Sequence, residues 1–105
     1  MAAHLLKLGY KQPAISLCGA VLEDGLRKCC HRNGISIGVA DDIGSLTGKL
    51  TGKKVVSELA ARNLSVWKKL RDHADHGEFD KLEPVTEAQI MSMIDGASEL
   101  LDRLP

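Results

Sequence analysis

Apolar residues return at steps of three and four through most of this chain, the spacing that lines one face of an α-helix. The clearest run is Ile15, Cys18, Leu22, Leu26 and Cys29, with Leu17 and Val21 beside it; it predicts an amphipathic helix to about His31, closed by Asn33-Gly34. Gln12-Pro13 reads as its start, because a proline in the first turn lacks only an amide that would have no partner there. Ahead of it, Ala2 to Leu8 form a short apolar segment ended by Gly9.

Between Ile35 and Lys54 the pattern thins to Ile43, Leu46 and Leu50 among four glycines, which predicts a short helix capped by Asp41 or Asp42. Ile35 to Val39 is the one strand candidate, and Gly34 and Gly38 interrupt it. A long pattern resumes near Lys54 with Val56, Leu59, Asn63, Val66 or Trp67, Leu70 and Ala74, and should stop at Gly77. Pro84 breaks the chain. Thr86-Glu87-Ala88-Gln89 then has the form of a capping box, opening a last helix with Ile90, Met93, Ile94, Ala97, Leu100, Leu101 and Leu104 on one stripe. The expectation is an all-α bundle in one domain, residues 1–105.

Composition narrows the function classes. A chain of 105 residues buries roughly two-thirds of its unfolded surface, enough for one modest core. Its 14 basic and 14 acidic residues balance, which argues against a standing polyanion-binding surface. Tyr10, Trp67 and Phe79 are the only aromatics, so base-stacking platforms of the single-strand-binding type are set aside. Cys18, Cys29 and Cys30 lie in helical pattern without metal spacing and make an odd number for disulfides, so they read as reduced core residues. No apolar run approaches the roughly 18 residues of a membrane span, and the start lacks a basic-then-apolar signal. A cytoplasmic protein with no membrane contact is expected.

Gly48-Lys49 and Gly52-Lys53 invite a phosphate-loop reading. That fingerprint needs a glycine five positions earlier and Ser or Thr after the lysine; Ile43 and Thr47 stand first, and Leu50 and Lys54 follow. The motif fails on both counts.

The densest chemistry is Arg71-Asp72-His73-Ala74-Asp75-His76 before Gly77. Five helical steps turn through about 500°, so Arg71 and His76 stand about 140° apart and converge only at a helix end or across two chains. An arginine fork suits phosphate oxygens, and a histidine titrates nearest neutral pH. Together they suit phosphodiester chemistry without a metal, the imidazole moving a proton and the guanidinium stabilising charge. Two other readings stand beside it. One is a solvated helix end on which the dipole favours histidine. The other is a metal site of His73 and His76 with Asp72 and Asp75, although no recognised metal spacing is present.

Trp67 to Ile94, with Arg71, Asp72 and His76 at its centre and His76-Gly77-Glu78-Phe79-Asp80 after them, resembles the HEPN superfamily (higher eukaryotes and prokaryotes nucleotide-binding). The match is to a bacterial small-domain subgroup with an Arg-x4-His motif. Gly9-Tyr10 through Ala14 and Gly19 through Arg27 resemble its first long helix, so the likeness covers most of the chain.

The resemblance implies a four- to five-helix up-and-down bundle that dimerises and joins two motif copies in one cleft. It implies a metal-independent endoribonuclease of toxin, defence or RNA-processing type, in which the 2′-hydroxyl attacks the adjacent phosphate and leaves a 2′,3′-cyclic phosphate. His76 would then be the general acid or base, Arg71 the phosphate contact and Asp72 the polar residue that orients it. Aspartate stands at 72 where asparagine is commoner, and its charge would repel a phosphate unless paired with Arg71 or a histidine. His73, Asp75, Glu23 and Asp24 are possible supporting groups; the plainer reading of the last two is an exposed acidic face. No cofactor and no metal are expected. The expected partners are a second copy, RNA or a nucleotide, and an antitoxin protein. The alternative is a non-catalytic module of the same type that binds a nucleotide, RNA or a protein.

Overall fold

The computed structural model describes residues 1–105 and contains six helices and no strand. They are α1 (Ala2–Lys7), α2 (Lys11–Arg32), α3 (Ile43–Gly52), α4 (Glu58–Asp75), α5 (Phe79–Leu82) and α6 (Glu87–Arg103). Five of these carry the periodic patterns read from the sequence. The sixth, α5, is a single turn, too short to have a period. The strand candidate 35–39 is irregular chain.

Three helix starts are set by side chains. The Asp42 carboxylate accepts from the Ser45 amide at 2.9 Å and the Ser45 hydroxyl accepts from the Asp42 amide, a reciprocal cap on α3. Asp41 instead accepts from the Gly38 amide and from Lys49 Nζ, folding the preceding loop onto α3. Thr86 and Gln89 form the expected box on α6. Helix α2 begins at Lys11, one residue before the expected start, so Pro13 sits third in the first turn, where its missing donor still costs nothing.

Four helices end alike. In α1, α2, α3 and α4 the residue past the C-cap has positive φ: Gly9, Gly34, Lys54 and Gly77. The next two amides fold back onto the last turn, as in α4, where Gly77 donates to the Ala74 carbonyl at 3.2 Å and Glu78 to that of His73 at 2.9 Å. At Lys54 a non-glycine occupies that conformation with φ 59°. This corrects the expected start of the long helix: Lys54 belongs to the end of α3, and α4 opens three residues later on Ser57, whose hydroxyl accepts from the Ala60 amide.

One cluster of 18 buried residues draws on all six helices. Helix α2 is its spine, packing against α1, α3, α4 and α6. Contacts of Gln12 and Ser16 with Ala74 and Asp75, and of Gly19 and Glu23 with Arg71, show that α2 and α4 run antiparallel. Gly25 meets Leu101, and Leu17 lies by Ile94, so α6 runs parallel to α2. Between α4 and α6 lies a groove of about 380 Å³ with Trp67 against Gly96.

The face that α4 buries matches the expected stripe at Trp67, Leu70 and Ala74, which are buried or packed against the core, and departs from it elsewhere. Leu64 and Ala74 are buried, whereas Leu59 and Val66 are 71 and 57% exposed and Asn63 is exposed. No helix is long and apolar enough to cross a membrane.

Candidate functional site

The site is built where α4 stops against the start of α2. Gly19 lets the two helices approach so closely that the Arg71 stem lies in the space of its missing side chain: a Cβ there would meet Arg71 Cδ at 2.9 Å. Arg71 is thereby laid along α2 with only 19% of its side chain exposed. Its Nη2 reaches Glu23 Oε2 at 3.3 Å, and its Nε donates to Asp75 Oδ2 at 3.0 Å. Asp75 is itself fixed by the Ser16 hydroxyl at 2.7 Å. Burial works against the guanidinium charge, but the Glu23 and Asp75 carboxylates outweigh it and push the arginine's pKa up. Arg71 is a fixed cation at every accessible pH.

Asp72 turns the other way. Its carboxylate accepts from Lys68 Nζ at 2.7 Å, one turn earlier, and makes no hydrogen bond with Arg71 or either histidine. The repulsion expected from a carboxylate at 72 is therefore met by a lysine that sequence reading did not single out. Lys68 also lies 3.8 Å from Asp42 of α3, and the Asp72 hydrogen bond raises its pKa against the opposing effect of burial. The Lys68 stem packs over Gly44.

The two histidines separate. His73 Nδ1 lies 3.2 Å from Glu78 Oε1, and this contact, helped by Lys81, holds the Glu78 carboxyl below its usual range. The pair bridges the two residues whose backbones close the helix end, reinforcing the stop at Gly77. His76 is the C-cap of α4, is exposed, and makes no side-chain hydrogen bond to the protein. Asp24 lies apart from the site, paired with Lys28 on the exposed side of α2.

The arrangement thus brings together Arg71, Asp75 and Glu23, places His76 at the adjacent helix end, and sends Asp72, His73 and Asp24 to other partners. No three His, Cys, Asp or Glu side chains converge as metal ligands. Near Arg71 and Lys68 stand four carboxylates, Glu23, Asp75, Asp72 and Asp42, so the local field does not favour a polyanion. Ser16 and Lys68 are the structural partners that sequence reading missed; Ser16 is 59 positions from Asp75, and nothing local marks it.

The chain matches no family model, no curated protein and no solved structure.

Proposed function

We propose that the end of α4 is the site of a metal-independent endoribonuclease of HEPN type, completed by a second copy of the chain. The observation that carries this reading is the pairing of an unengaged imidazole, His76, at a sharp helix stop with Arg71, preset on the preceding turn by two carboxylates. In the reaction an RNA 2′-oxygen bonds to the adjacent phosphorus while the bond from phosphorus to the 5′-oxygen breaks. One His76 takes the 2′-hydroxyl proton, and the other copy's His76, protonated, gives one to the departing 5′-oxygen. The Arg71 guanidinium stabilises the charge gathering on the non-bridging oxygens. A second copy is required because Arg71 lies toward α2 while His76 stands past the last turn. Roles in defence or as a toxin restrained by an antitoxin fit such an activity.

The test is incubation of purified protein with single-stranded RNA in EDTA, comparing wild type with His76→Ala and Arg71→Ala variants of unchanged helicity. Expected are fragments ending in 2′,3′-cyclic phosphate from the wild type alone, a dimer by light scattering, and growth arrest on expression that His76→Ala relieves. Equal cleavage by the variants, or none by the wild type, sinks the reading.

One observation favours a second reading. A phosphate reaching Arg71 meets a guanidinium already engaged by Glu23 at Nη2 and by Asp75 at Nε, and a guanidinium so neutralised suits a non-catalytic module that binds a nucleotide, RNA or a protein partner. Binding of RNA without cleavage would select it.

A further inference from the structure

Two of the chain's three aromatic side chains stand in water at the end of the bundle that carries His76: Phe79 is 63% exposed and Tyr10 54%. Tyr10 caps α2, whose next two residues are tied there. Lys11 Nζ donates to the Val85 carbonyl and Gln12 to that of Ala74. Phe79 opens α5, which buries Leu82 in the core and turns the phenyl ring outward.

The chain between His76 and Phe79 is rigidly held. Amides 76, 77 and 78 donate to the carbonyls of Asp72, Ala74 and His73, and that of Phe79 donates to Gly77. The Glu78 carboxylate adds side-chain contacts to His73 and Lys81. The Phe79 ring leans back over the turn, with Cε2 3.9 Å from where a Cβ would stand on Gly77, the residue directly after His76. An exposed phenyl ring thus lies over the turn that directly follows His76.

We infer that Phe79 stacks a nucleobase, taking one unpaired base of a single-stranded RNA whose adjoining phosphate lies at His76. This rests on the phosphodiester reading above and names its substrate as unpaired RNA. Bases of loops and single strands present an open π-face that an aromatic ring can cover, whereas those of a duplex are already stacked on each other. The charge pattern makes such a contact necessary. With four carboxylates around Arg71 and Lys68, phosphate attraction is a poor anchor, and stacking holds RNA independently of charge. Binding should therefore weaken only slightly with added salt, unlike that of proteins anchored on phosphates. One ring serves one base, which a chain of three aromatics can supply.

The experiment compares wild type, Phe79→Ala and Phe79→Tyr on a short unstructured RNA and on the same sequence in a duplex, in EDTA. Loss of one stacked base should raise KM by about five- to 150-fold, with kcat retained, the tyrosine near wild type and the duplex uncut. Because the ring is exposed, thermal midpoints should coincide. Wild-type cleavage with an unchanged KM in Phe79→Ala overturns the inference and leaves the ribonuclease reading standing. If the wild type does not cleave, a Trp67→Phe/Phe79→Trp variant titrated with oligoadenylate decides: saturable quenching supports stacking, and unchanged emission overturns it. A Phe79→Ala variant that dissociates a dimer at unaltered RNA affinity assigns the ring to a protein interface and also overturns the inference.

Discussion

Arg71 Nη2 lies 3.3 Å from Glu23 Oε2, joining the end of α4 to the middle of α2 across 48 positions of sequence. Because Asp75 holds the same guanidinium, Glu23→Gln removes one of two anchors from a partly solvated pair and should cost under about 1 kcal/mol. Arg71→Ala should cost more, about 1–3 kcal/mol, since it also strips the stem from Gly19 and leaves two carboxylates facing each other. Urea unfolding measures both, and the reverse order would show that the ion pair is not held as described.

The close approach at Gly19 gives a sharper contrast. Gly19→Ala forces the Arg71 stem aside and should destabilise by about 1–3 kcal/mol, as overpacking does. Gly48→Ala, in α3 with nothing within 4 Å of the new methyl, should stabilise by about 0.5–1 kcal/mol through helix propensity. Equal effects in thermal melts would contradict the packing of α2 on α4.

Asp72→Asn leaves Lys68 without its closest carboxylate and removes one negative charge from the α4 end that carries the proposed site. At ion-pair range in water that charge is worth about 1 kcal/mol. RNA cleavage should therefore rise about fivefold in kcat/KM, with Lys68 free to meet the phosphate. A fall would mean that the Asp72 carboxylate contributes to the chemistry itself.

The left-handed position at Lys54 is strained for any residue with a Cβ, by about 1–2 kcal/mol. Glycine removes that strain at some cost in unfolded-chain entropy, so Lys54→Gly should gain up to about 1 kcal/mol, visible as a higher thermal midpoint. The same residue explains why the start of α4 was misjudged. At Gly9, Gly34 and Gly77 the helix stops are written in the residue type; at Lys54 the same turn is made by a residue that gives no such sign.

Part of the buried face of α4 was hidden for a different reason. Besides Leu64 it packs through Ala61, the Lys68 stem on Gly44 and the Arg71 stem on Gly19, side chains that count as small or polar in a hydrophobicity pattern. Of the apparent stripe, Trp67, Leu70 and Ala74 do pack in or against the core, whereas Leu59, Asn63 and Val66 lie exposed. Within the site, Arg71, His76 and the Gly77 stop were legible because they are local. The partners of Arg71 and Asp75 on α2 come from tertiary packing and leave no mark in the spacing.

Acid should loosen the 38–42 loop from α3. The Gly38 amide, with Lys49 and Ser45, holds the Asp41 carboxyl down to about 2, from an ordinary value near 3.8. A carboxyl depressed on folding stabilises above its unfolded value, so this contribution is complete above about pH 4 and disappears as pH falls through about 2. Asp41→Asn should be less stable at neutral pH and show a flatter stability profile between pH 4 and 2. Parallel profiles for the two proteins would remove Asp41 from that role.

The groove between α4 and α6 bears on how freely this chain can change. The site proposed at Arg71 and His76 is framed by α2, the α4 end and the turn into α5, whereas α6 reaches α4 mainly through Trp67 over Gly96. Substitutions along the outer wall of α6, at Ser92, Glu99 or Arg103, can therefore accumulate without disturbing the α4 end. A lineage carrying this fold could diversify what it associates with while its α4 site stays constant.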